Sequence, residues 1–161
     1  MRLYSEPLSL DWTLASDAVS IVFLDSFMDG LARYDEQLNP KPAIAKSWEL
    51  SKDRRTYTYH LREDVQWSDG VPLTAQHFLD AWERLLNPKT GAEYAYFLFD
   101  ILNARAYNEG KISNPALLGI KAPDPYTLVV TLNKAASYFP NIPTFTATFP
   151  IRKDLIAKHG N

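Results

Sequence analysis

Cysteine is missing from all 161 residues, which excludes a disulfide framework, a thiolate nucleophile and a cysteine-ligated zinc site. No apolar run approaches the roughly 20 residues that a membrane-spanning helix needs. Met1-Arg2 leads straight into a strand-like stretch, so no signal-peptide core is expected in the chain as given. Basic clusters reach only Arg54-Arg55 and Arg152-Lys153, and the formal net charge is -2. A nucleic-acid partner, which demands a basic face to displace counterions, is therefore not expected. His60, His77 and His159 lie far apart without an HExxH pair, and no GxSxG, Walker or GxGxxG sequence occurs. Metal, acyl-transfer and nucleotide chemistry thus have no motif to rest on, and no cofactor is expected.

What is present suits an ordinary folded domain, or one and a piece: 46% of residues are hydrophobic and 13% are aromatic. The run from Ala45 to Gly70 predicts a hairpin with a polar tip, followed by a third extended stretch. Trp48 and Leu50 lead into a charged turn from Ser51 to Arg55, after which Tyr57, Tyr59 and Leu61 alternate with Thr56, Thr58 and His60. That period of two marks a half-buried strand. Thr74 suits an N-cap for a helix from Ala75 to Leu86, with Phe78, Leu79, Trp82, Leu85 and Leu86 on one stripe and Asn87-Pro88 as its stop. The hairpin is expected to pack on this helix.

Further elements are weaker. Arg2 to Ser5 predicts a short strand, Leu10 to Asp17 a loop, and Ser20 to Asp29 a helix ended by Gly30. Asn39-Pro40-Lys41-Pro42 breaks the chain. Tyr94 to Gly110 predicts a second long helix, and Ile120 to Ala122 with Tyr126 to Leu132 a second hairpin around Pro123-Asp124-Pro125. Strands packed on helices make the fold class α+β. Trp48, Tyr57, Tyr59, Trp67 and Trp82 fall on apolar faces and are expected in the core. Glu63, Asp64 and Asp69 could serve as an acid and base only in a pocket that shifts their pKa values.

The order of small residue, aromatic strand, acidic turn at Asp53, alternating strand, Leu61-Arg62, Glu63-Asp64 and Trp67-Ser68-Asp69-Gly70 resembles a family of extracytoplasmic solute-binding proteins. It is the family 5 group that serves peptide and nickel ABC importers. Leu3-Tyr4-Ser5-Glu6-Pro7, Gly30-Leu31-Ala32-Arg33-Tyr34, Val71-Pro72-Leu73-Thr74-Ala75, Asn87-Pro88-Lys89-Thr90 and Leu118-Gly119-Ile120 continue the likeness over nearly the whole chain. Oligopeptide-binding proteins are the subgroup most resembled.

That resemblance implies a type II periplasmic binding protein-like fold of the peptide-binding subclass, of which this chain would be an amino-terminal fragment: part of lobe I plus its extra subdomain. Residues 1–38 would give the first-lobe strand, ligand loop and helix, 39–142 the subdomain, and 143–161 the return to the first lobe. It implies a receptor rather than an enzyme, with an oligopeptide ligand and a membrane permease as partners, monomeric, and periplasmic or tethered to the cell surface as a lipoprotein. It further implies that the loop at Ser16, Asp17 and Ala18 runs along the cleft, offering backbone groups to an extended peptide, and that Tyr94 or Tyr96 lends a phenol to the cavity wall. Ser16 and Asp17 equally suit a helix N-cap, and both roles are compatible. Two alternatives stay open: a non-transport peptide or protein interaction module of the same fold, and a carboxylate-dependent hydrolase.

Overall fold

The structure, a computed structural model, describes residues 6–159; the predicted strand at Arg2 to Ser5 lies outside them. Helix α1 (Ala18–Asp25) precedes the short paired strands β1 (Ala32–Tyr34) and β2 (Pro40–Pro42), then a hairpin of β3 (Ala45–Leu50) and β4 (Thr56–Leu61). Helices α2 (Ala75–Leu86) and α3 (Ala104–Asn108) follow, then a hairpin of β5 (Ile120–Asp124) and β6 (Thr127–Thr131), and helix α4 (Lys153–His159). Short 3-10 segments cover Glu93–Leu98, Pro115–Leu117, Phe139–Thr144 and Thr146–Thr148.

The two hairpins join into one antiparallel sheet of order β3-β4-β6-β5. Its central strand β4 buries Tyr57, Tyr59 and Leu61 and leaves Thr56, Thr58 and His60 partly wet, as the alternation predicts. Leu128, Val130 and Leu132 continue the same buried face. The third extended stretch does not join this sheet. Residues near Trp67 make a turn in which Trp67 N–H donates to Val71 O and Gly70 N–H to Trp67 O, both at 2.9 Å, with only the bridge Gln66 to Pro72 beside it. The place next to β4 is taken by β6.

Helix α2 starts and ends where the sequence predicts, because Thr74 is extended and Asn87-Pro88 cannot continue it. It buries Phe78, Ala81, Trp82, Leu85 and Leu86. It lies over β5 and β6 rather than over the first hairpin. Trp82 is fully buried, and its indole N–H donates to Thr148 O at 2.8 Å. Tyr57, Tyr59 and Trp82 are core residues, whereas Trp48 and Trp67 are only half-buried. A single apolar core runs from Leu31 to Ile151.

The predicted helix over Tyr94 to Gly110 is broken in two. After the 3-10 turn the backbone at Ile101 and Leu102 turns to the sheet: Ile101 bridges Leu132, Leu102 N–H donates to Thr131 O, and Leu102 O accepts from Gly119 N, the last two at 2.9 Å. Those groups are then lost to a helix, and Asn103, left-handed at φ 64, starts the short α3. Asn39 to Pro42 forms an edge pairing, with Arg33 opposite Lys41, where prolines are tolerated. Gly30 does not end α1. A Cβ there would collide with Pro143 O and the Phe149 ring, so its role is close approach between two segments.

Candidate functional site

The chain reaches Ser16 through a turn organised by Asp11. The Asp11 carbonyl accepts from Leu14 N at 3.0 Å and Ala15 N at 2.8 Å, and its carboxylate accepts from Thr13 N at 3.0 Å. Arg84 of α2 grips the same carboxylate with two nitrogens, at 2.9 and 2.6 Å. Such a fork-to-carboxylate pair fixes direction as well as distance. Asp17 is extended (φ -88, ψ 149), and its side chain accepts from Ser20 N at 2.9 Å. The Ser20 hydroxyl and backbone N–H hold the Asp17 carboxyl below the usual carboxylate range.

Ala18 corrects the expectation of an extended loop: it is the first residue of α1, two residues earlier than the predicted helix start. The extended stretch stops at Asp17. Ser16 and Ala18 are exposed and Asp17 is half-buried. The N–H groups of Ala18 and Val19, in the first turn, have no carbonyl behind them within the helix.

Tyr94 meets this loop directly. Its hydroxyl donates to Ser16 O at 3.2 Å, across 78 residues of sequence. Its ring lies edge-on to Phe145 at 5.0 Å and near Tyr96 at 6.2 Å, while Tyr96 stacks on Phe97 at 4.7 Å. Four of the five candidate residues (Ser16, Asp17, Ala18 and Tyr94) therefore adjoin one another, and Tyr96, about half exposed, stands at the edge.

Beside them runs a groove of about 410 Å³ lined by Ile21, Val22, Tyr34, Phe97, Ile142 and Phe145, with Asp25 as its charged member. Burial, and then repulsion from Asp29, pushes the Asp25 carboxyl above its ordinary value. Sequence reasoning missed this groove. Its walls come from α1, β1, the Tyr94 turn and the Phe139–Thr144 turn, and no local period links them.

The carboxylates weighed for hydrolysis are otherwise engaged. Asp64 takes two hydrogen bonds from Arg62, at 3.0 and 2.8 Å, Asp69 pairs with Arg152 at 2.8 Å, and the exposed Glu63 lies 3.7 Å from Lys46. Arg62 and Arg152 lower the pKa of Asp64 and Asp69, respectively, the opposite of what a general acid requires. The histidines occupy separate places: His60 beside Glu49 at 3.2 Å, His77 in the first turn of α2, His159 in α4.

Residues 39–160 match the family described as "Bacterial extracellular solute-binding proteins, family 5 Middle". The chain belongs to family 5. Among curated relatives, the dipeptide-binding protein DppE of Bacillus subtilis is 38% identical over 92% of this chain and 27% of its own length. The probable deoxycholate-binding periplasmic protein YgiS of Escherichia coli is 37% identical over 98% of this chain and 30% of its own. The solved substrate-binding domain of an oligopeptide ABC transporter from Bacillus anthracis superposes with a TM-score of 0.93 at 40% identity, over 97% of this chain and 30% of that one. The fold is thus that of part of a family 5 receptor, and the chain spans about 30% of the length of the relatives it matches.

Proposed function

We propose that this chain forms one wall of the cleft of an extracytoplasmic receptor that passes oligopeptides to an ABC permease, and that it carries out no catalysis. In this reading residues 1–38 and 143–161 belong to the ligand-facing lobe, 39–142 form the subdomain outside it, and the opposite wall comes from the further length that relatives possess. The receptor works as a monomer in the periplasm or tethered to the cell surface.

The observation that carries the reading is the bond from Tyr94 to Ser16 O beside an exposed helix start at Ala18. A receptor accepting many sequences draws affinity from what all peptides share, the backbone, and leaves side chains to roomy pockets. The loop is fixed on both sides, by the Arg84–Asp11 pair and by the Asp17 cap, so little order has to be gained on binding. Within it, the Ala18 N–H remains to meet a peptide carbonyl. Tyr96 offers an apolar ring and a hydroxyl at the edge.

Ala18→Pro tests this with little risk to the fold. Proline suits the first helical position, and Asp17 at ψ 149 already has the conformation preferred before proline. Titration calorimetry of the two-lobed receptor with mixed tri- to pentapeptides should show binding weakened roughly 2- to 10-fold, the worth of one hydrogen bond. Unchanged affinity would remove this loop from the reading.

A further inference from the structure

We propose that His77 is an acid-sensitive latch: in its neutral form it closes the joint between the Trp67 turn, the start of α2 and the segment from Ile151 to Asp154, and gaining a proton loosens that joint. His77 is the third residue of α2. Its Nδ1 accepts the backbone N–H of Thr74 at 3.0 Å, which returns the helix to its own cap. A ring nitrogen that accepts cannot carry a proton, so the imidazole must be neutral with its hydrogen on Nε2. A second proton would sit on Nδ1, facing the Thr74 N–H, so the backbone capping bond would be lost and the ring could donate only to the Thr74 hydroxyl, 3.1 Å away.

Two other contacts make this residue a joint rather than a cap alone. The His77 carbonyl accepts from Ile151 N at 3.2 Å, fastening the helix start to the returning chain. The ring stands edge-on to Trp67, centroids 5.5 Å apart. Trp67 is in turn covered by the Arg152 guanidinium at 5.9 Å. A cleft of about 350 Å³ opens between Trp12, Trp67, Arg152 and Leu155, so the wall of that cleft leans on His77.

The charged groups around the ring set the direction. Burial and then the Arg152 cation favour the neutral form, while Asp80 and Asp154 oppose them. Both carboxylates are already committed, Asp154 to Arg152 at 2.7 Å and Asp80 to Lys153 at 3.5 Å, and Asp69 holds Arg152 from the other side. The pKa of His77 is consequently lowered in the folded chain. Its contribution to stability is complete above about pH 6.5, the ordinary histidine value. It is lost as the pH falls from there through the lowered value, by up to about tenfold in the folding equilibrium constant for each pH unit.

The test uses the 161-residue chain and its His77→Gln variant, in which the amide oxygen still accepts from Thr74 but cannot titrate. Urea unfolding from about pH 7.5 to about pH 5 should show the parent losing at least about threefold more in folding constant than the variant. In the intact parent, the His77 ring resonances should titrate below their ordinary range. Parallel pH curves for the two proteins would overturn the proposal. So would a His77 ring that titrates at or above the ordinary value, a measurement that decides the matter even if the variant does not fold.

Discussion

In the four-stranded sheet, the central strands β4 and β6 pair without a break in register, and their buried side chains repeat every second residue. Around Ser16 there is no such repetition: hydrogen bonds run from Trp82 to Thr148 O, Arg84 to Asp11, Tyr94 to Ser16 O and Trp12 to Phe149 O, joining positions 66, 73, 78 and 137 apart. Stability in the first region is spread over many side chains. Position in the second depends on a few individual bonds. The sheet and α2 therefore act as the platform, and the outer segments are aimed by the side chains that this platform sends out.

The comparison breaks most visibly at Trp82, which belongs to both regions. Trp82→Ala removes a fully buried side chain at a cost of about 3–5 kcal/mol. In calorimetry that should lower Tm by roughly 6–20 °C for a chain of this size. An unchanged Tm would mean that α2 is not the platform. Gly30→Ala comes next: a methyl group there meets Pro143 O and the Phe149 ring, so the outer segments must separate, costing about 1–3 kcal/mol by overpacking. Urea midpoints equal to the parent's would place the two segments further apart than they stand here. Tyr94→Phe has the smallest effect, at most ~1.5 kcal/mol, since it removes one partly exposed hydrogen bond and keeps the ring. Its expected signature is faster amide exchange around residues 16–20 with the sheet unaffected; uniform protection would show that Tyr94 does not hold the loop.

The same division explains what the sequence made legible. β4 and α2 could be placed from periods of two and 3.6 because each buries one face of a regular element. The stretch from Tyr94 to Gly110 misled because its apolar spacing also fits a 3-10 turn and a backbone bridge, and the partners that decide, Thr131 and Gly119, are far along the chain. The start of α1 lies earlier than predicted because Asp17 takes the N-cap role that its residue type allows, bonding Ser20 N and bringing Ala18 and Val19 into the first turn. For the candidate site, residue patterns alone offered only a helix cap. The family resemblance singled out Ser16 and Tyr94, and the groove at Asp25 and Phe145 had no sequence signal, its walls being assembled by the tertiary fold.

Tyr94 holds Ser16 by its main-chain oxygen, leaving the Ser16 side chain exposed. Any side chain can therefore be installed at position 16 without surrendering that bond. Because the chain has no cysteine, Ser16→Cys would create a unique thiol at the rim. If the loop lines the proposed cleft, a fluorophore attached there becomes an optical reporter whose emission should follow peptide occupancy.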